Sequence, residues 1–140
     1  MLYIVNFPFC NFNSLERYFI QRKLKYEIFD SSTNTEKDST IILPGVGTFG
    51  EGMNYLNTMG FTEKIKNHSL KGGKIFGICL GMQLLLENSE ESDNTKGLGL
   101  IGGNCKQISK VKNFRVPHIG WNSLIINSES EQSKVKLIKQ

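Results

Sequence analysis

The sequence is short of the side chains that most often bind metals or act as catalytic bases. It contains two histidines and three cysteines in 140 residues, and no two cysteines stand in C-x-x-C spacing. An odd number of cysteines without paired spacing indicates neither a disulfide framework nor a zinc site. If a cysteine carries chemistry here, we expect it to act as a free thiol.

The sequence also lacks a long apolar run and a block of like charge. No apolar stretch approaches the length needed to cross a membrane. The net charge of +4 comes from scattered lysines without interleaved aromatic residues, so we expect neither a membrane nor a nucleic-acid partner. Residues 1–5 read as a first strand rather than a signal peptide, and we therefore expect a cytoplasmic location.

Short apolar segments alternate with amphipathic ones along the first two thirds of the chain. With 39% apolar and 21% charged residues, the composition is that of a globular protein, and we predict a single domain over residues 1–140. Strand–helix alternation predicts a parallel α/β sheet, whose ligands bind at the carboxyl ends of the strands. The predicted strands are 2–5, 26–29, 41–43 and 75–78, and residues 123–126 and 135–138 look like further strands. A helix of about ten residues is predicted after Asn11, with Leu15, Phe19, Ile20 and Leu24 on one apolar stripe. Further helical pattern runs through Met53 and Leu56, over 62–70 and from Leu80.

The most informative stretch is Gly77-Ile78-Cys79-Leu80-Gly81, which stands between a predicted buried strand and a helix. This is the nucleophile-elbow pattern with cysteine in the place of serine. Glycines are needed where a sharp strand-to-helix turn crowds the backbone, and a helix N-terminus favours a thiolate. The plainer alternative is a buried structural cysteine, because cysteines are common in protein cores.

A glycine-rich loop, Pro44 to Gly50, follows the third predicted strand. Both this loop and the elbow come at carboxyl ends of strands, so they can share one site. Backbone amides in such a loop can stabilise the oxyanion formed when a thiolate attacks a carbonyl. Alone, the loop is equally typical of a tight turn, and a phosphate site is less favoured because no Gly-Lys-Ser/Thr sequence ends it.

The two histidines offer few choices of base. His118 lies in the segment 116–122 and could serve Cys79 in a cysteine hydrolase, but we favour a histidine that packs within a loop. His68 stands in a polar helical stretch, and we expect it to face solvent.

Four motifs in order give the chain its family resemblance. Together they resemble the class I, triad-type glutamine amidotransferases that act as the glutaminase subunit of imidazole glycerol phosphate synthase. The resemblance implies a flavodoxin-like fold with a central, mostly parallel sheet and helices on both faces. The motifs are Pro-Gly-Val-Gly-Thr-Phe-Gly at 44–50, Gly-Ile-Cys-Leu-Gly-Met-Gln at 77–83, Gly-Leu-Gly-Leu-Ile at 97–101 and Val-Pro-His-Ile-Gly-Trp-Asn at 116–122.

The resemblance also implies roles for particular residues. Cys79 would attack the side-chain amide of glutamine, form a thioester and release ammonia to a cyclase subunit in a heterodimer for histidine biosynthesis. It implies no metal, no organic cofactor and no catalytic role for His118. It assigns the oxyanion hole to Val46 and Leu80, the glutamine seat to Gly47 and Gln83, and the partner-facing surface to Asn11, Ser14, Trp121 and Asn122.

Two stretches depart from the family pattern. The first loop usually reads Asp-Tyr-Gly-x-Gly-Asn, whereas this chain has Pro8 and Cys10 in place of the two glycines. A Pro-Gly pair is replaced by Gly102-Gly103. Because the first loop is where the partner would dock, a paralogue that supplies ammonia for amination of a surface sugar is an alternative.

The family's catalytic histidine and glutamate lie in a His-Pro-Glu motif that follows the cysteine at a distance. The sequence ends at Gln140 without this motif. We therefore expect an incomplete domain with its C-terminal strands missing, weak or inactive as a glutaminase on its own because no base activates the thiol. The alternative is a non-catalytic binding subunit with the same fold.

Overall fold

The computed structural model describes residues 1–108, 120, 121 and 123. Residues Met1–Gln107 form one compact unit, and the chain from Ile108 onward belongs to a second. The single domain expected over residues 1–140 stays a prediction. In chain order the elements are β1 (Leu2–Val5), α1 (Phe12–Gln21), β2 (Tyr26–Phe29), β3 (Thr40–Leu43), α2 (Phe49–Thr58), α3 (Phe61–Leu70), β4 (Lys74–Gly77), α4 (Leu80–Leu84), β5 (Asn88–Ser89) and β6 (Asn104–Cys105).

The first four strands form one parallel sheet in the order β2-β1-β3-β4. Leu2 pairs with both Tyr26 and Thr40, and Thr40 in turn pairs with Lys74. The chain thus starts in the middle of the sheet, runs to one side and then returns to the other. This is the flavodoxin-like order, and the predicted α/β class is confirmed. Strands β5 and β6 form a separate parallel pair.

Helices cover both faces of the sheet, as predicted. Alternate strand residues point to opposite faces, so Val5 and Leu43 join the larger core with α2, α3 and α4. Ile4 and Ile42 point the other way and pack with Phe19 of α1. Near-continuous apolar strands such as β3 are buried because both of their faces are covered.

The apolar stripe predicted for α1 is only partly correct. Phe19 is buried and Leu15 is half-buried, but Ile20 is 65% exposed. Neighbouring residues on a helix are about 100° apart, so Ile20 turns away from the sheet when Phe19 faces it. Leu24 lies beyond the end of the helix and is also exposed.

Strand β4 is less buried than the sequence predicts. It stands last in the strand order, and within residues 1–108 it pairs only with β3. Phe76 is 58% exposed as a result. The apolar run Ile75 to Ile78 looked like a central strand because composition does not reveal how many neighbours a strand has.

His68 does not face solvent, and that prediction is wrong. The ring is 2% exposed, and its Nε2 lies 3.3 Å from the carbonyl oxygen of Lys74. A side chain at Gly73 would overlap the imidazole ring. The last turn of α3 runs straight into the tight Gly72-Gly73 connection, which folds β4 back over the ring.

The further strands predicted at 123–126 and 135–138 lie outside the described residues, except for exposed Ser123. Among the helices that the structure describes, none has the length and apolar character needed to span a bilayer.

Helix α2 begins with a reciprocal capping box. The Thr48 hydroxyl accepts a hydrogen bond from the Glu51 amide, and the Glu51 carboxylate accepts from the Thr48 amide at 3.2 Å and its hydroxyl at 2.7 Å. These bonds, the hydroxyl's first, lower the pKa of Glu51 below its ordinary value of 4.5. A lowered pKa in the folded chain means that the ionised carboxylate favours folding.

We therefore expect Glu51→Gln to unfold at lower urea concentration than the wild type at pH 7. The difference should shrink as the pH falls from about 4.5 through the lower pKa of Glu51 in the folded chain. Over this range the wild-type carboxylate becomes protonated and then resembles the amide. Glu63→Gln is the matched control, since it removes the same charge from the first turn of α3, where no side chain caps the helix. A difference that stays constant down to pH 3 would contradict the prediction.

Candidate active site

Cys79 stands in the sharp turn between β4 and α4. Its backbone has φ 53° and ψ −114°, a combination that L-residues seldom adopt. Holding a non-glycine residue there costs on the order of 1–3 kcal/mol, and such strain persists only where the surrounding fold imposes it. The side chain is exposed to solvent. The turn therefore presents a thiol outward from the carboxyl end of the sheet.

The two glycines beside the cysteine are required by close backbone contacts. A Cβ on Gly77 would lie 2.6 Å from the backbone N and Cα of Met82. A Cβ on Gly81 would overlap the carbonyl oxygen of Leu43 in β3. The crowding that the Gly-x-Cys-x-Gly pattern predicts is therefore present, and it arises from α4 packing directly on the sheet.

The glycine-rich loop lies against the elbow. The Leu80 amide donates to the carbonyl oxygen of Gly45 at 3.4 Å, and the Leu80 side chain is 3.4 Å from the Cβ position of Gly45. Val46 is 53% exposed, and Gly47 has φ 114°. The loops after β3 and β4 thus meet, as their positions at adjacent carboxyl ends predict.

The hydrogen bond to Gly45 bears on the predicted oxyanion hole. At 3.4 Å it is longer than most N–H···O bonds, so it is weak. It nevertheless directs the Leu80 amide at a protein carbonyl, and an oxyanion would have to take that carbonyl's place. The Val46 amide donates to no group within the described part of the chain.

Two side chains that the sequence did not single out brace the glycine loop. The Glu91 carboxylate accepts a hydrogen bond from the Phe49 amide at 2.8 Å, which fixes the acidic loop 87–96 to the start of α2. The Phe9 ring lies 3.6 Å from the Cβ position of Gly47. No local pattern could reveal either contact, because the partners are far apart in sequence.

The three cysteines differ in their surroundings. Cys79 is exposed, whereas Cys10 and Cys105 are half-buried. Burial raises the pKa of the Cys10 thiol, whose Sγ lies 3.8 Å from the Asn6 side-chain oxygen. A raised pKa keeps a thiol protonated and unreactive. The structure therefore supports Cys79 as the chemically available thiol.

In the described part of the chain, no histidine lies beside this thiol. His68 contacts Lys74 at the amino end of β4, whereas Cys79 follows the carboxyl end. Four residues of strand separate the two ends by about 13 Å. His118, the other candidate base, lies outside the described residues.

The remaining predicted site residues occupy separate positions. Gln83 is half-buried in α4, and its backbone N–H donates to the Cys79 carbonyl at 3.2 Å. Asn11 and Ser14 are exposed at the start of α1. Trp121 is fully exposed in the second unit, and Asn122 lies outside the described residues.

Residues 1–108 contain no group of three histidine, cysteine, aspartate or glutamate side chains placed to hold a metal ion. That neither a metal nor a cofactor is needed stays a prediction.

A flavodoxin-like parallel sheet, with a strained cysteine elbow after one strand and a glycine loop after its neighbour, defines an α/β domain with nucleophile-elbow architecture. Residues 4–139 match the family model of class-I glutamine amidotransferases. The chain belongs to this family.

Curated relatives carry the name "imidazole glycerol phosphate synthase subunit HisH". The chain is 36% identical to that of Chlorobium luteolum over 130 residues, which cover 93% of this chain and 64% of the relative. It is 37% identical to that of Listeria monocytogenes over 96% of this chain and 64% of the relative. The chain thus spans a little under two thirds of these relatives' length. Over a shorter 95-residue match it is 46% identical to that of Helicobacter hepaticus.

We expect Gly81→Ala to destabilise the protein strongly, because the added methyl would overlap backbone rather than a movable side chain. Overpacking of this kind costs about 1–3 kcal/mol, and here the upper part of that range applies. Gly102→Ala is the control, since no atom lies within 4 Å of its Cβ position. Urea unfolding of the two variants measures the difference; equal midpoints would show that α4 can move away from β3 without cost.

Proposed function

We propose that the chain is the nucleophile-bearing part of a glutaminase that serves imidazole glycerol phosphate synthase. The observation that carries the proposal is the exposed, strained Cys79 beside the Gly45 to Gly47 loop, in a chain of the class-I amidotransferase family. The names of the relatives point to the same enzyme.

The proposed reaction begins with attack of the Cys79 thiolate on the side-chain carbonyl carbon of glutamine. The carbonyl electrons move to oxygen and form a tetrahedral oxyanion, which the amides of Val46 and Leu80 would stabilise. When the oxyanion collapses, the C–N bond breaks, the nitrogen takes up a proton and ammonia leaves. Water then attacks the thioester and releases glutamate and the thiol. Gly47 and Gln83 would seat the glutamine.

The hydrogen bond from Leu80 to Gly45 implies a further step. The Leu80 amide becomes available to an oxyanion only when the Gly45 carbonyl turns away. Gly45 has φ 145° and no side chain, so the peptide after it can rotate with little steric resistance. We therefore infer that glutamine hydrolysis accompanies rotation of the Gly45–Val46 peptide.

Ammonia would pass to a cyclase subunit that forms imidazole glycerol phosphate in histidine biosynthesis. The partner would make the protein a heterodimer with lyase activity, and we propose a cytoplasmic location for it. Exposed Asn11 and Ser14 at the start of α1, with Trp121 and Asn122 of the second unit, are the proposed partner-facing residues.

Two other functions differ from this proposal in what they require. A paralogue for surface-sugar amination would share the glutaminase chemistry but feed another acceptor, and the relatives' names do not favour it. A non-catalytic binding subunit would keep the fold without hydrolysing glutamine. Reading the coding sequence beyond codon 140 separates a glutaminase from a binding subunit. An in-frame His-Pro-Glu motif supports the glutaminase, and its absence supports the binding subunit.

We expect Cys79→Ser to reduce ammonia release from glutamine by more than about 1,000-fold, because loss of a covalent nucleophile removes the whole acyl-transfer route. The assay uses the full gene product together with the cyclase subunit encoded in the same genome. Cys105→Ser is the control, since it removes a half-buried thiol that lies outside the proposed site. Unchanged ammonia release from Cys79→Ser would refute the proposed function.

A further inference from the structure

The loop after β1 reaches across to the glycine loop after β3. The Phe9 ring lies with Cδ2 at 3.6 Å and Cε2 at 4.0 Å from the Cβ position of Gly47. The Glu51 carboxylate lies 3.5 Å from the same position. The Phe9 ring and the capping carboxylate of α2 therefore line the space that a side chain at Gly47 would occupy.

Phe9 is held by neighbouring aromatic rings. Its ring centre is 5.4 Å from that of Phe7 and 6.3 Å from that of Tyr55. Phe7 is buried in the larger core, whereas Phe9 is half-buried at its edge. Aromatic pairs at these spacings favour tilted and edge-on contacts, so the ring has a defined position.

The backbone of the same loop is fixed at two points. The Tyr55 hydroxyl donates to the Asn6 carbonyl at 3.0 Å and links the loop to α2. The Cys10 amide donates to the Phe7 carbonyl at 3.1 Å, which closes a turn around Pro8. Proline restricts the backbone further. The segment 6–10 is thus a braced turn that carries Phe9 at its inner side.

Gly47 has an unusual backbone conformation. Its φ of 114° is one that L side chains rarely adopt, and the space beside it is lined by side chains from other elements. The strand order places the loops after β1 and β3 side by side, at the point where ligands bind in sheets of this type. A shift of the loop after β1 would therefore move the Phe9 ring that lies beside the glycine loop.

We propose that Phe9 is a positioning residue that sets the backbone of Gly47 for glutamine and transmits the state of the loop 6–10 to that seat. The inference rests on the proposed function. Phe9 does not touch the reacting atoms; it acts through Gly47. Movement of the loop, such as a docked partner would impose, shifts the ring and with it the glutamine seat.

The test measures modification of Cys79 in the full gene product by two reagents. One is a diazoketone analogue of glutamine, which reacts after it occupies the seat. The other is iodoacetamide, which needs only an accessible thiol. Peptide mass spectrometry identifies the labelled cysteine and gives the rate for each reagent.

We expect Phe9→Leu to slow labelling by the glutamine analogue about tenfold, because small displacements of a positioning group have large effects on rate. Iodoacetamide labelling should change less than about twofold, since Cys79 and its turn are untouched. Phe9→Tyr restores the ring and should return the analogue rate to within about twofold of wild type. Phe12→Leu is the matched control: Phe12 is also half-buried and aromatic, but it packs with Tyr26 on the opposite face of the sheet.

Tyr55→Phe provides a second route to the same conclusion if Phe9→Leu folds poorly. It keeps the ring and removes the hydrogen bond to Asn6, so it should slow analogue labelling selectively, to a smaller extent.

Three outcomes overturn the proposal. Unchanged analogue labelling in Phe9→Leu, with wild type labelled normally, refutes the positioning role alone. Equal slowing with both reagents shows general damage to the elbow and also refutes it. Wild type that reacts at Cys79 with iodoacetamide but not with the glutamine analogue refutes the proposed function itself.

Discussion

The contact between Gly81 and the Leu43 carbonyl is the constraint on which the rest of the site depends. Because no side chain intervenes, the first turn of α4 lies directly on β3, and the chain must turn sharply to enter it. That turn places Cys79 at φ 53° and exposes its thiol. The same close approach brings Leu80 against Gly45. The absence of a side chain at Gly81 therefore allows the elbow to contact the glycine loop.

The site as a whole forms where loops from three adjacent strands meet. The turn after β1 contributes Phe9, the loop after β3 contributes Gly47, and the turn after β4 contributes Cys79. The strand order places these loops next to one another even though they are far apart in sequence. In this arrangement the backbone of the glycine loop has neighbours on both sides, and its geometry can respond to either.

Local patterns predicted much of this architecture correctly. The four strands and the Gly-x-Cys-x-Gly turn follow from short-range apolar periodicity and from glycine's small size, whereas the helices on both faces were implied by the family resemblance. Two of the errors share one physical origin. His68 is buried and β4 is exposed because burial depends on which elements lie alongside, and a one-dimensional pattern does not contain that information. The Glu91 and Phe9 contacts were missed for the same reason.

By itself, the sequence determined the fold class, the family resemblance and which cysteine stands in the elbow, since each follows from short local motifs. Only the tertiary structure decided how the turn is strained, that the Leu80 amide meets the Gly45 carbonyl, and that the Phe9 ring lies beside Gly47. These features depend on contacts between residues far apart in the sequence, and such contacts exist only once the strands have paired. Motifs therefore point to the candidate residues, while packing sets the geometry around them.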